Sequence, residues 1–327
     1  MSTRNLPAAD RFPFWVDTIH QTMAPYELRS EHASAFHAEL RAVQIGAAQA
    51  SMVTQQSVQS NRTARLIRQS DPEHYHCGIN LCGHVQMTQD RRSAALRPGD
   101  LTLFDTSRPF RCTTHYGDGL GFGLLLAFPR GLLPLPDNKV KDLIMARFSV
   151  RSGIGRLLTT YLSQLITNPG QYRPGDATRL GSISLDLLAA MLAHELDMTV
   201  PAETRRQALL ARIHAFIDQH LGDPSLTPQA IAAAHHVSTR YLHKLFHDQG
   251  RTVAGWVRQR RLDRARRDLA DPQAASTPIH GIAARWGFAD AAHFSRAFRA
   301  AYGLPPRDYR RLAGQPEAVR GSSSTLR

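Results

Sequence analysis

The stretch GIAARWGFADAAHFSRAFRAAYGLPPRDYR, Gly281 to Arg310, decides the fold. Ile282 and Ala283 form a short apolar face, and Trp286-Gly287-Phe288 then breaks the pattern. Phe294 and Phe298 stand four apart, so they share the inward face of a second helix together with the lead-in Phe288. Gly303 and Pro306 end the segment. The expectation is two helices joined by a tight turn.

The same plan occurs upstream in SLTPQAIAAAHHVSTRYLHKLF, Ser225 to Phe246. Thr227 and Pro228 fit an N-cap and first helical position. Ile231 and Ala232 answer Ile282 and Ala283, and Leu242 and Phe246 answer Phe294 and Phe298. Val237 sits in the turn and Ser238 caps the next helix. Ile231 to Ile282 is an offset of 51 residues, and Phe246 to Phe298 is one of 52. Arg240, His243 and Lys244 share the face opposite Leu242, Leu245 and Phe246. A basic, donor-rich helix of this kind fits a DNA major groove. Taken alone, the upstream unit reads equally as a helical hairpin with an ordinary basic face; the duplication favours the reader.

Between the units lies TVAGWVRQRRLDRARRDLA, Thr252 to Ala270. Val253, Trp256, Val257, Leu262 and Ala265 make an apolar stripe, and six arginines fill much of the rest. Such a helix spans roughly 25–29 Å. With its flanks it could hold two reading helices about 34 Å apart, one DNA turn. Arg258, Arg261, Arg264 and Arg267 are the candidates for phosphate contacts, which position a protein without reading sequence. The expected small core comprises Ile231, Leu242, Phe246, Trp256, Ile282, Phe288, Phe294 and Phe298.

Charge agrees with a polyanion partner at this end. The 327 residues carry a formal charge of +13. Residues 201–327 hold 20 Lys and Arg against 10 Asp and Glu, whereas residues 1–200 hold 20 against 17. A solvated, Arg-rich surface accounts for charge alone equally well. No run of 18 apolar residues is present and MSTRNLPAAD has no hydrophobic signal region, so the expectation is a cytoplasmic protein with no membrane span. Cys77, Cys82 and Cys112 make no disulfide framework. The expected division is 1–200, 201–315 and a disordered tail over 316–327, ending in GSSSTLR.

Ahead of the basic third, residues 1–70 read as a lead-in with a short helix in FPFWVDTIHQTMAPYEL. Strand-like pieces follow in the region 41–125: ARLIRQS, HYHCGINLCGHVQMTQD and LTLFDTSRPFRCTTHY, with RPGD at Arg97 to Asp100 as a turn. GFGLLLAFP reads as a last buried strand. Several short strands at this spacing suggest a sandwich or barrel. Ile154–Thr167 and Gly181–Asp197 have helical apolar spacing that suits packing on the strands, pairing with a second copy, or both.

Together the two units and their linker resemble the AraC/XylS family of bacterial transcriptional regulators, over about residues 205–311. Gly287-Phe288, Phe294, Phe298, Gly303, Pro306 and Tyr309 fall where the family signature has them. The resemblance implies seven helices, the third beginning near Thr239 and the sixth near Asp290. It implies base-facing positions at Arg240, His243 and Lys244, and at Ala291, Ala292, Ser295 and Arg296. The two alanines depart from the polar residues the family often carries there; alanine can touch a thymine methyl but cannot make bidentate bonds. Residues 1–175, most clearly RPGDLTLFDTSRPF, are similar to the family's cupin-like domain. The expected fold is therefore two-domain α+β, a cupin-like β-barrel with packed helices before an all-α domain with two helix-turn-helix units.

What the resemblance implies for function is a ligand-responsive regulator, an activator of a catabolic operon, with double-stranded DNA, RNA polymerase, a small organic effector and a second copy of the chain as partners. Catabolic regulators for aromatic acids or amines look closest. The residues themselves do not decide activation against repression. The alternative is a DNA-binding protein whose N-terminal part only assembles oligomers. An enzyme is not expected: there is no nucleophile motif, phosphate-binding loop or dinucleotide fingerprint. His74, His76, His84 and His115 lie in the strand region, but no acidic residue completes a metal set after the His74/His76 pair, so neither metal nor cofactor is expected.

Overall fold

The computed structural model describes residues 1–197 and 199–313. The proposed tail, from 316 onward, lies outside them. Contacts divide the chain into Met1–Arg212 and Ile213–Arg327. No described helix is long and apolar enough to cross a membrane.

The first unit opens with α1 (Ala8–Thr22), β1 (Glu27–Arg29), β2 (Ala38–Ile45), β3 (Ala48–Gln55), β4 (Gln59–Arg62) and α2 (Ala64–Gln69). Then come β5 (His74–Asn80), β6 (His84–Gln89), β7 (Arg92–Leu96), β8 (Asp100–Asp105), β9 (Phe110–His115) and β10 (Gly121–Pro129). It closes with α3 (Asp137–Leu143), β11 (Phe148–Ser149), α4 (Gly153–Thr167) and α5 (Ala177–Glu195).

The strands form two antiparallel sheets, in the orders β1-β4-β9-β6-β7 and β11-β8-β5-β10-β3-β2. This corrects the expected cupin-like barrel. Each sheet is open, ending on edge strands that do not pair with each other, and β1 and β11 are only three and two residues long. Inward-outward alternation is the same in a sandwich and a barrel, so residue pattern alone does not tell whether a ladder closes.

Two further readings change. The lead-in already holds a full hairpin from Ala38, with Gly46 at φ +64° in its turn. ARLIRQS is a helix rather than a strand, because Thr63 caps it by accepting from the Leu66 amide. RPGD does form its turn: Gly99 has φ +86°, and the Asp100 carboxylate accepts from the Arg97 amide at 2.9 Å.

Helices α4 and α5 pack on each other, α4 against β2, β3 and β10 and α5 against β2. Leu158, Leu162, Leu165 and Ile166 of α4 and Leu185, Leu188 and Leu192 of α5 are buried. Gly181 permits the approach of α5, since a Cβ there would lie 2.1 Å from the Ile45 carbonyl oxygen.

The division between units falls within α6 (Ala202–Gln219), whose first turn carries Glu203. The second unit continues with α7 (Pro228–Ala234), α8 (Thr239–His247), α9 (Val253–Ala270), α10 (Ile279–Arg285), α11 (Ala291–Tyr302) and α12 (Pro306–Ala313). Every regular element between Ala202 and Ala313 is helical. The whole is a two-domain α+β protein, mixed sheet and helix followed by mostly helix.

Candidate nucleic-acid interface and interior cavity

Each reading helix is started by a side chain. In the first unit Thr227 caps α7 by accepting from the Ala230 amide at 3.2 Å, and Ser238 caps α8 by accepting from the Tyr241 amide at 3.1 Å. In the second unit Asp290 caps α11 by accepting from the amides of Ala292 (2.9 Å) and His293 (3.1 Å). Those amide bonds hold the exposed Asp290 carboxyl below the ordinary carboxylate range.

Both turns use a left-handed residue at the matching place. His236 has φ +53° between α7 and α8; Gly287, 51 positions on, has φ +72° between α10 and α11. The cap follows two residues after His236 but three after Gly287. The added residue, Ala289, is what lengthens the offset from 51 to 52.

Burial divides the faces. Leu242, Leu245 and Phe246 of α8 are buried, whereas Arg240, His243 and Lys244 are exposed. Phe294 and Phe298 of α11 are buried, whereas Ala291, Ala292, Ser295 and Arg296 are exposed. Ile231, Ile282 and Phe288 lie in the interior with them, and Trp256 is half-buried. The second unit's core is largely aromatic: the Phe298 ring lies 5.6 Å from Phe294, 4.7 Å from Tyr302 and 5.5 Å from Tyr309. Trp256 stacks on His214 at 4.5 Å, with the Arg251 guanidinium 4.8 Å from its ring.

The arginines of α9 divide into groups by environment. Arg258 and Arg267 are exposed. Arg264 is half-buried over the Trp286 ring, at 6.0 Å. Arg261 is turned into the domain: it donates to the carbonyls of Leu221 (2.9 Å), Asp223 (2.6 Å) and Gly287 (3.1 Å). Burial lowers its pKa. Arg261 thus ties the end of α6 to the second turn, and its guanidinium fills the space a Cβ on Gly287 would need. Arg260 makes a two-point ion pair with Asp218, at 2.8 and 2.6 Å. Residue spacing places all these arginines off the apolar stripe; it carries no sign of which ones neighbouring carbonyls and carboxylates engage.

In the first unit of the chain a cavity of about 170 Å³ lies between the two sheets. Its walls include Trp15, Tyr26, Phe104, Phe110 and Leu124. His76, Gly78 and Asn80 of β5 also line it; in the sequence His76 is weighed only as half of a metal pair, and Gly78 and Asn80 are not singled out. The signal available for them is a glycine between two polar residues at spacing two on a strand, which leaves a gap on the inward face. His74 is half-buried, with its ring 6.4 Å from that of His76, while His84 and His115 are exposed strand neighbours. Among the described residues, no group of three or more His, Cys, Asp or Glu could hold a metal ion. Cys77, Cys82 and Cys112 are free.

Comparison with known proteins places this architecture. A family model described as an AraC-binding-like domain matches residues 15–193, and one described as a helix-turn-helix domain matches residues 231–312. The transcriptional activator NphR of Rhodococcus sp is 27% identical over 314 residues, 95% of this chain and 92% of that protein. The transcriptional activator RhrA of Rhizobium meliloti is 31% identical over 158 residues, 48% of this chain and 49% of that protein. Among solved structures, the AraC-like transcriptional activator CuxR superposes with a TM-score of 0.52 at 23% identity, over 81% of this chain and 94% of that one; this likeness is one of fold. The resemblance noted in the two repeated units therefore extends through the sheets before them. The chain belongs to the AraC/XylS family of transcriptional regulators: it is a DNA-binding regulator, not an enzyme, with an AraC-binding-like domain ahead of its helix-turn-helix domain.

Proposed function

We propose that this chain is a ligand-responsive transcriptional activator that reads two successive major-groove segments of one duplex. The observation that carries the reading is the matched pair of capped helices, α8 and α11, each burying an apolar face and leaving polar residues exposed. Arg240, His243 and Lys244 contact base edges in the first segment. Ser295 and Arg296 do so in the second, with Ala291 and Ala292 limited to apolar contact. Arg258, Arg264 and Arg267 serve the phosphates; Arg261 serves the fold.

Residues 201–315 are the reader, and residues 1–200 take a small organic effector in the cavity between the sheets. Effector binding alters DNA occupancy or contact with RNA polymerase in the cytoplasm, at the promoter of a catabolic operon. That the similar proteins NphR and RhrA are transcriptional activators favours activation. One observation favours pairing of two copies through the N-terminal part: Leu157 stands 61% exposed on α4.

Footprinting of the full chain on a selected duplex tests the DNA reading: two protected major-groove segments on one face are expected, and protection of one segment alone would contradict it. Salt dependence tests the phosphate roles. Arg267→Ala lowers the magnitude of the slope of log K against log salt by about 0.9 and weakens all sequences alike. An unchanged slope removes Arg267 from the phosphate set.

A further inference from the structure

The cavity between the sheets contains unmet hydrogen-bonding capacity and no charge. His76, Gly78 and Asn80 share one face of β5 and line it together. Gly78 has no side chain, and a Cβ there would meet only the edge of the Phe104 ring, at 3.6 Å. The middle of this face is therefore a flat floor. On either side of it stand polar groups that the protein leaves unmatched. Both ring nitrogens of the fully buried His76, and the Asn80 amide oxygen, have no hydrogen-bond partner. The Asn80 amide nitrogen is already engaged, donating to the carbonyls of Gly83 (2.9 Å) and Leu96 (3.3 Å), which fixes which end of the amide is free. Leaving such groups unpaired in the interior is costly, and a site built this way meets them with a ligand or with water.

The rest of the lining sets the ligand's charge. Among the described residues that line the cavity, none is Asp, Glu, Lys or Arg. Its titratable groups stay neutral: burial holds His76 down to about 3, pushes the Cys112 thiol up to about 12, and raises the Tyr26 and Tyr116 hydroxyls. The cation next to the wall, buried Arg62, is turned to the carbonyls of Thr106 (3.2 Å) and Pro25 (2.8 Å) and to that of Ser70. A carboxylate or ammonium placed here would lose its water and gain no countercharge. The volume, about 170 Å³, suits one aromatic ring; an apolar protein cavity of about 150 Å³ is known to accept benzene.

We propose that the cavity takes an uncharged, single-ring aromatic molecule whose ring lies over Gly78 and whose hydroxyl or amide group bonds to His76 at one end of that floor, the Asn80 oxygen at the other end meeting water or a second polar group of the ligand. This rests on the effector reading above and narrows it, replacing the expectation of aromatic acids or amines. A neutral imidazole offers one donor and one acceptor. The preferred ligand group therefore both donates and accepts.

Four molecules with one carbon skeleton test this on the full chain at pH 7: benzyl alcohol, benzoate, benzylammonium and toluene, with affinities measured by calorimetry. Benzyl alcohol should bind about tenfold or more tightly than each of the other three. In His76→Phe its affinity should fall to that of toluene, while toluene itself is little changed. In Gly78→Val, which fills the floor, both should be lost. Benzoate or benzylammonium binding as well as benzyl alcohol overturns the proposal and leaves an effector role standing. Benzyl alcohol binding no better than toluene overturns the role of His76, leaving its ring nitrogens to water. If none of the four binds at millimolar concentration, the proposal fails. The wider effector reading fails only if a broad panel of small organic molecules also leaves the chain's melting temperature unmoved. The comparison among the four is made in the natural chain, so it does not depend on either variant folding.

Discussion

The two helix-turn-helix units follow one plan and divide its tasks unequally. The first turn uses His236 in a left-handed conformation that costs an L-residue about 1–2 kcal/mol, and the second uses Gly287, which takes it without that cost. The second turn is also held from outside, by Arg261 donating to the Gly287 carbonyl. The second core is mainly aromatic, with Phe288, Phe294 and Phe298 packed beside Tyr302 and Tyr309; the first buries chiefly aliphatic side chains around Phe246. On the outer faces the inequality reverses. The first helix offers Arg240, His243 and Lys244, whereas the second offers two alanines with Ser295 and Arg296. The segment whose sequence is most diagnostic of the fold is thus the one with less to say to a base pair. Features that identify a family and features that discriminate a target need not coincide.

The largest test of this comparison falls on the second core. Phe298→Ala removes a fully buried ring that contacts three other rings and should cost about 3–5 kcal/mol. Urea denaturation of the full chain measures it. A loss below about 1 kcal/mol would show that the aromatic cluster does not hold the second unit together.

Next in size are the reading faces. Arg240→Ala should cost about 1–3 kcal/mol of discrimination between a selected duplex and a scrambled one. Ser295→Ala should cost less than Arg240→Ala, because one hydroxyl makes a single bond to a base edge where a guanidinium makes two. Competition binding at fixed salt compares them, and equal losses would erase the proposed division of labour.

The turns give the smallest effects and opposite signs. Gly287→Ala should destabilise the chain by about 1–2 kcal/mol, since the new Cβ has the wrong backbone angle and meets the Arg261 guanidinium. His236→Gly should stabilise it by at most about 1 kcal/mol, because relief of the left-handed backbone is partly offset by a freer unfolded chain. Thermal melts decide the signs. Destabilisation by His236→Gly would mean that the histidine side chain contributes something its backbone angle does not reveal.

Much of the second unit of the chain was legible in residue spacing, for identifiable reasons. Caps such as Thr227 and Ser238 act over two or three residues, and a helical stripe repeats every three or four, so both are visible in a short window. The change of offset from 51 to 52 was visible too, although its cause, Ala289 in the second turn, needed the structure. Partners far apart in the chain were not legible. Arg261 looks like Arg258 and Arg267 until carbonyls 40 and 26 residues away are brought to it. In the strand-rich part the turn at Arg97–Asp100 was readable, but whether the sheets close depends on pairings between distant edges. The expected barrel gave way to two open sheets for that reason. ARLIRQS reads as strand-like around its Leu66-Ile67 pair, yet Thr63 caps it and it forms a helix. His76 drew attention as half of a metal pair, when its place beside Gly78 and Asn80 was the more informative feature.

The most direct test of the central claim is a base-pair scan. Each position of a selected duplex is replaced in turn, and the affinity of the full chain is measured at one salt concentration. Two clusters of sensitive positions are predicted, about 10–10.5 base pairs apart. One should lose about 1–3 kcal/mol per pair and be flattened by Arg240→Ala; the other should lose distinctly less. A single cluster, or a second cluster as sensitive as the first and untouched by Arg240→Ala, would contradict the account.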